Sequence, residues 1–366
     1  MRLRQALLCC LLLPLLWQGS ARAAAAPQAW AYLGWWMPDA WRGAPLERLD
    51  RLLFFQLKAG PDGAIGERHG WPEQWGALRE AARGHGVALD LTITILDTAT
   101  FEQLFNSASA RARLLEQATE LARHADVAGL QLDMEVYSAL APDTMRQFQA
   151  LVRELARRLR SMAPARKLSV FIPMGAASQY YDRATLAQVD YVVMQGYDAH
   201  WITSQRAGPL APLAGTEPVT WEKALAAGRA LGVPRSRLLF GFPLFGYDWP
   251  VRDAAWRSAT TGPAQQLSYA PLPAGLVPAM AGDARARALR HGVHHDQRSG
   301  SAAYRYQGDD GNHRQGWFED SWSLERKAAW VKRHQVGGMA FFMLGYDQSE
   351  LVRHYLRRPA RKKAAR

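Results

Sequence analysis

The sequence predicts an α/β fold, a TIM (β/α)8 barrel carrying a small α+β or β-rich insertion after its seventh strand. Three observations lead there. Eight short apolar segments recur along the chain, helical stripes fall between them, and a Gly- and Pro-rich stretch interrupts the alternation late in the sequence. Strand, helix and loop in repeating order argue for a parallel sheet, and eight parallel strands is the number that closes into a barrel. At 366 residues the chain is long enough for one such domain.

The first element, residues 1–26, reads as a signal peptide rather than as part of the fold. Arg2 and Arg4 give a positive start, Ala6 to Trp17 an apolar run, and Ala21 to Ala26 a zone of small residues. A membrane anchor needs about 20 apolar residues, more than this run supplies. Export, to a periplasm or to the outside, is the expectation. The two cysteines, Cys9 and Cys10, lie inside the signal, so disulfides and thiol chemistry drop out for the mature chain. The formal charge of +12 sits largely at the ends. Arg2, Arg4 and Arg22 belong to the leader and six basic residues to the tail 357–366, which reads as disordered. The tail suits weak contact with anionic envelope polymers; nucleic acid is not an expected partner, and a monomer is expected.

The barrel domain is expected over residues 27–356. Its strands are predicted at Trp30–Trp36, Arg51–Leu57, Val87–Ile95, Val127–Glu135, Leu168–Met174, Val189–Tyr197, Leu238–Phe245 and Gly338–Leu344. Leu114, Leu115, Ala118, Leu121 and Ala122 form one stripe of a helix over 111–124. Pro142 opens another, with Phe148, Leu151, Val152, Leu155, Leu159 and Met162 on its apolar face. Thr220 precedes a third that stops near Gly232. From about 250 to 320 the helical period vanishes, and the segment reads as an insertion able to wall a groove.

The fourth strand carries the chemistry. In Asp126-Val-Ala-Gly-Leu-Gln-Leu-Asp-Met-Glu135, alternation puts Gln131, Asp133 and Glu135 on one face and Leu130, Leu132 and Met134 on the other. Two acids at this spacing repel, which raises the proton affinity of at least one, and a carboxyl kept protonated near neutral pH is what general-acid catalysis requires. The competing reading is an exposed strand with solvated charges. The barrel fold would bring the ends of strands four, six and seven, with Glu135, Tyr197, Asp198, Tyr247 and Asp248, to one face.

Several separated motifs then give the chain a resemblance. Ala128-Gly-Leu-Gln-Leu-Asp-Met-Glu135, Asp190 to Asp198, Leu239 to Trp249, Trp317 to Asp320 and Gly337 to Asp347 together resemble family 18 glycoside hydrolases, the chitinase-like barrels, and more closely their bacterial spore-cortex type. The resemblance implies a retaining hydrolase of β-linked N-acetylhexosamine polymers in which the substrate's own acetamido oxygen attacks the anomeric carbon. It implies Glu135 as general acid, Asp133 as the carboxylate orienting the acetamido group, and Tyr197 as its hydrogen-bonding partner, with Asp198 beside it. No cofactor and no metal are implied.

Against the family's Asp-Gly-x-Asp-x-Asp-x-Glu, Ala128 and Gln131 replace the first two acids, Gln195 stands for the usual Met and Phe342 for the usual Trp under the sugar. Gln131 cannot ionise but can donate a hydrogen bond to Asp133, so altered pH dependence or slower turnover is expected. Further substrate contacts are expected from Asp198, Gln195, Phe342, Trp36, Phe55 and Trp201. Each aromatic also has a packing reading: of Trp35 and Trp36 at least one belongs to the core, Phe55 divides evenly between core and site, and Trp201 is either a sugar platform or a packed loop residue. His200 reads as a local hydrogen-bonding residue. Two rival functions stay open: a non-catalytic glycan-binding barrel, and an unrelated enzyme using Glu135 and Asp198 as a conventional acid–nucleophile pair about 5 Å apart.

Overall fold

The computed structural model describes residues 26–174 and 180–357. The expected signal peptide, apart from Ala26, and all of the basic tail but Arg357 lie outside these residues. The barrel strands are β1 (Gln28–Gly34), β2 (Arg51–Ala59), β4 (Ala88–Ile95), β5 (Gly129–Met134), β6 (Lys167–Ile172), β7 (Tyr191–Met194), β8 (Leu238–Pro243) and β15 (Gly338–Phe342), each within a few residues of its predicted span. They pair in parallel in the order β1-β15-β8-β7-β6-β5-β4-β2, and β1 pairs with β2 to close the ring. A short strand, β3 (Ile65–Glu67), folds back antiparallel on β2; nothing in the sequence period announced it.

The outer helices follow from local chemistry. In α4 (Pro142–Arg160) proline occupies the first turn, and Phe148, Leu151, Val152, Leu155 and Leu159 are buried as their spacing predicts. Burial of each such side chain contributes about 1.5–3 kcal/mol. The helix α3 (Ala108–Arg123) starts where the Ser107 hydroxyl accepts from the Ala110 N–H, and α2 (Thr98–Asn106) where Asp97 accepts from Thr100. Phe101, Phe105 and Phe148 interlock with Tyr180 and Tyr181 against this side of the barrel, ring centroids 4.4–5.8 Å apart. The Thr220 hydroxyl caps α6 (Trp221–Ala230).

The insertion is more structured than the expected small β element. A second sheet of six strands forms from β9 (Phe245–Val251), β10 (Gln265–Ser268), β11 (Met280–Asp283), β12 (His294–Asp296), β13 (Ser301–Gln307) and β14 (His313–Phe318). It begins at Phe245, directly after β8, and includes the helix α7 (Ala284–His291). Glycines and prolines had masked the strand alternation. The chain returns through α8 (Ser321–His334), β15 and α9 (Glu350–Leu356).

Inside the barrel the side chains form register layers. Thr92, Gln131 and Ser169 lie opposite one another on β4, β5 and β6, and one layer higher come Thr94, Asp133 and Phe171. The N-terminal end is held by Arg51, whose guanidinium donates to both carboxylate oxygens of Asp90 at 2.5 and 2.7 Å. This interior is polar for a barrel core.

Candidate active site

At the C-terminal ends of the barrel strands lies a cavity of about 160 Å³. Tyr32, Phe171 and Phe342 come to it from β1, β6 and β15; Asp133 from β5 and Glu135 from just past its end; Gln195, Tyr197 and Asp198 from the loop after β7. The insertion supplies Phe245, Tyr247 and Gln266, so the second sheet does wall the site.

The signature acids are placed by the strand itself. Gly129 is required where β5 meets β6, because an added Cβ there would come 2.5 Å from the Lys167 carbonyl oxygen and 3.0 Å from Asp90 Oδ1. Asp133, 2% exposed, then points up from the barrel interior. Glu135 follows the last strand residue, and its N–H still donates to the Ile95 carbonyl at 2.9 Å. The Tyr180 hydroxyl donates to the carbonyl of Met134, so the backbone on the near side of the acid is pinned as well. Beyond it, the Tyr137 hydroxyl donates to Glu135 Oε2 at 2.9 Å.

Two strands along the ring from these acids, two glycines seat Tyr197. A Cβ on Gly241 would strike the Gln195 carbonyl oxygen at 2.0 Å and the Tyr197 ring at 2.6 Å, and Gly196, at φ 71°, turns the chain where a side chain would meet the Gly241 carbonyl. Asp198 also has left-handed backbone, at φ 61°, a sparsely populated conformation for a residue with a side chain and one that recurs at functional sites. Gln195 clamps this loop: its oxygen accepts from the Met174 N–H at 3.1 Å and its amide donates to Asp198 Oδ2 at 3.1 Å. Phe342 forms an aromatic floor with Tyr32, Phe55 and Tyr197, centroids 5.3–6.0 Å apart.

Burial sets the protonation states. Desolvation pushes the Asp133 carboxyl well above its ordinary range, and the charge of Glu135 pushes it further. Glu135 is also raised by burial, against the Tyr137 hydrogen bond, which lowers it. Asp198 is pushed up to about 7 by burial and then by Glu135, with the hydrogen bonds of Gln195 and Tyr247 acting the other way. Burial raises the Tyr197 phenol, so it remains a hydrogen-bond donor. Among the described residues Asp133 Oδ1 and Asp198 Oδ1 have no hydrogen-bond partner, which leaves both free for a ligand.

The structure therefore gathers Glu135, Asp133, Tyr197, Asp198, Gln195 and Phe342 around one cavity. Other expected contacts lie elsewhere. Gln131 is fully buried beneath the site, and its amide donates to Ser169 Oγ at 3.4 Å, not to Asp133, because the side chain crosses to the neighbouring strand instead of rising along its own. Phe55 is buried behind Phe342, and Trp36 packs on Phe55 at 6.0 Å while its indole N–H donates to Tyr346. Trp201 is half-exposed on the loop beyond Asp198, away from the cavity lining. His200 bonds the Pro209 carbonyl at 3.0 Å, the local role expected of it. Asp248 does not converge on the site: it is the neighbour of Tyr247 on β9, so alternation turns it away into the insertion.

Several lining residues escaped the sequence reading. Tyr32 was legible in principle, since it alternates inward along β1. Phe171 sits opposite Asp133 and needs the register to be seen. Phe245 and Gln266 come from a strand corner and a second sheet, neither of which has a period that points inward, and Tyr137, outside the lining, reaches Glu135 from a loop.

A closed parallel barrel whose mouth holds raised carboxyl groups and a phenol over an aromatic floor defines a class, the barrel hydrolases of sugar chains. The chain belongs to a particular one: the family model described as glycosyl hydrolases family 18 matches residues 94–347. Among curated relatives it is 26% identical over 265 residues to the putative sporulation-specific glycosylase YdhD of Bacillus subtilis, covering 70% of this chain and 56% of the relative. It is 22% identical over 306 residues to the cortical fragment-lytic enzyme of Bacillus anthracis, covering 81% and 65%. The chain thus spans a little over half to two thirds of these relatives' own length. Among solved structures the fold matches the Bacillus cereus spore cortex-lytic enzyme SleL at TM-score 0.70 and 19% identity, over 90% of this chain and 74% of that one. It matches the chitinase-like agglutinin of Robinia pseudoacacia at TM-score 0.72 and 19% identity, over 90% and 98%.

Proposed function

We propose that the protein is an exported, retaining glycosidase that cleaves β-linked N-acetylhexosamine glycans with the help of the substrate's acetamido group. One observation carries the reading. Asp133 and Glu135 line the same cavity, both raised by burial, and the protonated Tyr197 phenol lines it with them. Glu135 gives its proton to the glycosidic oxygen as the acetamido oxygen attacks the anomeric carbon and the bond to the leaving sugar breaks. Asp133, whose Oδ1 has no other partner among the described residues, accepts the acetamido N–H and orients the group, while Tyr197 donates to the acetamido oxygen and fixes its approach. The Glu135 carboxylate then takes a proton from the water that opens the ring, restoring the acid and the configuration.

A conventional acid–nucleophile pair of Glu135 and Asp198 is less well supported. A nucleophilic carboxylate has to be ionised, and Asp198, pushed up to about 7 by burial and by Glu135 itself, is only partly ionised near neutral pH. A glycan-binding barrel without turnover draws support from the agglutinin fold match and from Gln131, but the acid that such a barrel has no use for is present and turned into the cavity. Export rests on the amino-terminal sequence, Arg2 and Arg4 ahead of the apolar run, and amino-terminal sequencing of secreted protein checks it.

The test of turnover is hydrolysis of N-acetylglucosamine oligomers and of peptidoglycan by the wild type and Glu135→Gln. The variant is expected to lose about 10²–10⁴-fold in kcat, the usual contribution of a positioned proton donor. Equal rates for the two proteins contradict the mechanism; saturable binding without product from the wild type at any pH supports the glycan-binding alternative.

A further inference from the structure

Glu135 is surrounded by acids and phenols: Asp133 on its own strand, Tyr197 and Asp198 from the loop after β7, Tyr32 from β1 and Tyr180 from the segment before α5 (Arg183–Leu186). When Glu135 gives up its proton, the new negative charge forms in a buried site, where desolvation disfavours it. The direct hydrogen bond to its carboxylate comes from Tyr137 Oη, 2.9 Å from Oε2. The local structure holds that donor in place. Val136 between them is buried, and the backbone just before is fixed by the Ile95 and Tyr180 contacts, so Tyr137 turns back over the acid although its residue remains 53% exposed at the barrel mouth. An exposed aromatic with so little area to bury is not held there by packing alone.

We propose that Tyr137 is a positioning residue for the general acid, holding the Glu135 carboxyl in one orientation and stabilising the charge that develops on it as the proton leaves. The inference rests on the reading of Glu135 as the acid. A hydroxyl bound to a neutral carboxyl makes an ordinary hydrogen bond, whereas a hydroxyl bound to a carboxylate makes one roughly twice as strong. The interaction therefore strengthens between the Michaelis complex and the transition state, which is the condition for raising kcat rather than lowering KM. A phenol serves better here than a second acid or a lysine, because it donates throughout the neutral range without titrating. Burial and the charge of Glu135 raise its pKa further from that range.

The experiment compares wild type, Tyr137→Phe, Tyr137→Ala and Glu135→Gln on one N-acetylglucosamine oligomer, recording kcat, KM and the pH profile of kcat. Thermal melting confirms that each variant is folded. Tyr137→Phe removes one oxygen from an exposed side chain and keeps the ring. It is expected to lose about tenfold in kcat with KM changed by less than about twofold. Its alkaline limb moves to higher pH, because Glu135 without the donor keeps its proton longer. Tyr137→Ala adds a rise in KM if the ring also touches sugar, and the same shift of the limb. A Tyr137→Phe enzyme whose alkaline limb stays at the wild-type position overturns the proposal, even where kcat has fallen. Failure of the underlying reading looks different: Glu135→Gln then matches the wild type.

Discussion

Two aspartates of this molecule are equally inaccessible and live in opposite surroundings. Asp248, on β9 of the insertion, is fully buried, and it accepts from Arg287 and Arg314 at 2.7 Å and from the hydroxyls of Tyr304 and Tyr306 at 2.9 and 3.2 Å. Asp133, on β5 of the barrel, is as deeply buried; its principal charged neighbour is another acid, and one of its oxygens has no hydrogen-bond partner among the described residues. A buried carboxylate surrounded by cations and donors is a structural tie, holding α7, β13 and β14 onto β9. A buried carboxyl left uncompensated costs stability, and a fold keeps such a group where a ligand completes it. Burial alone separates neither case; the partners do.

The largest effect that sharpens this contrast is expected at the tie. Asp248→Ala strands two arginines in a mostly closed setting and costs about 3–5 kcal/mol of folding free energy, read from denaturant unfolding. Activity per folded molecule is expected to persist. A variant as stable as the wild type contradicts the structural role of the cluster. The corresponding change at the site has the reverse profile. Asp133→Asn is expected to lose about 100-fold in kcat, as when one preorganised group facing the reacting centre is removed. An active Asp133→Asn enzyme breaks the comparison from the catalytic side.

A smaller effect appears in the stability of that same variant. The folded pKa of Asp133 is raised, so the native state holds this proton more tightly than the unfolded chain does. Its stabilising contribution is complete below the usual carboxylate pKa of 3.8 and is lost as pH rises through the higher folded value. Wild type and Asp133→Asn are therefore expected to melt alike near pH 3, with the variant gaining steadily as pH rises from about 4 toward neutral. Parallel melting curves across that range refute the uncompensated burial of Asp133.

The same contrast explains what was legible in the sequence. The barrel was, because each of its strands is buried on both faces and reads as a short apolar run, and α4 shows its apolar stripe without interruption. The insertion was not, because strands such as β10 and β12, of four and three residues, are too short to show a period. At the site, Asp133 and Glu135 follow from spacing two apart on a strand, and Tyr197 and Asp198 from the motif on the next-but-one strand. Gln131 was misplaced because spacing gives the face of a strand but not the direction a flexible amide takes across it. Tyr137 was invisible for a related reason: its role depends on a loop folding back on the acid. Asp248 was drawn toward the site by its neighbour Tyr247, and alternation along β9, once the strand was known, sends it the other way.

In the proposed mechanism Asp133 and Tyr197 prepare the substrate's own acetamido group as the nucleophile. An N-acetylglucosamine-derived thiazoline mimics the bicyclic intermediate, and its binding can be measured by titration calorimetry against wild type and Asp133→Asn. Saturable, competitive binding to the wild type is expected, at least about tenfold weaker in the variant. A wild-type enzyme that hydrolyses N-acetylglucosamine oligomers and yet ignores the thiazoline contradicts the mechanism.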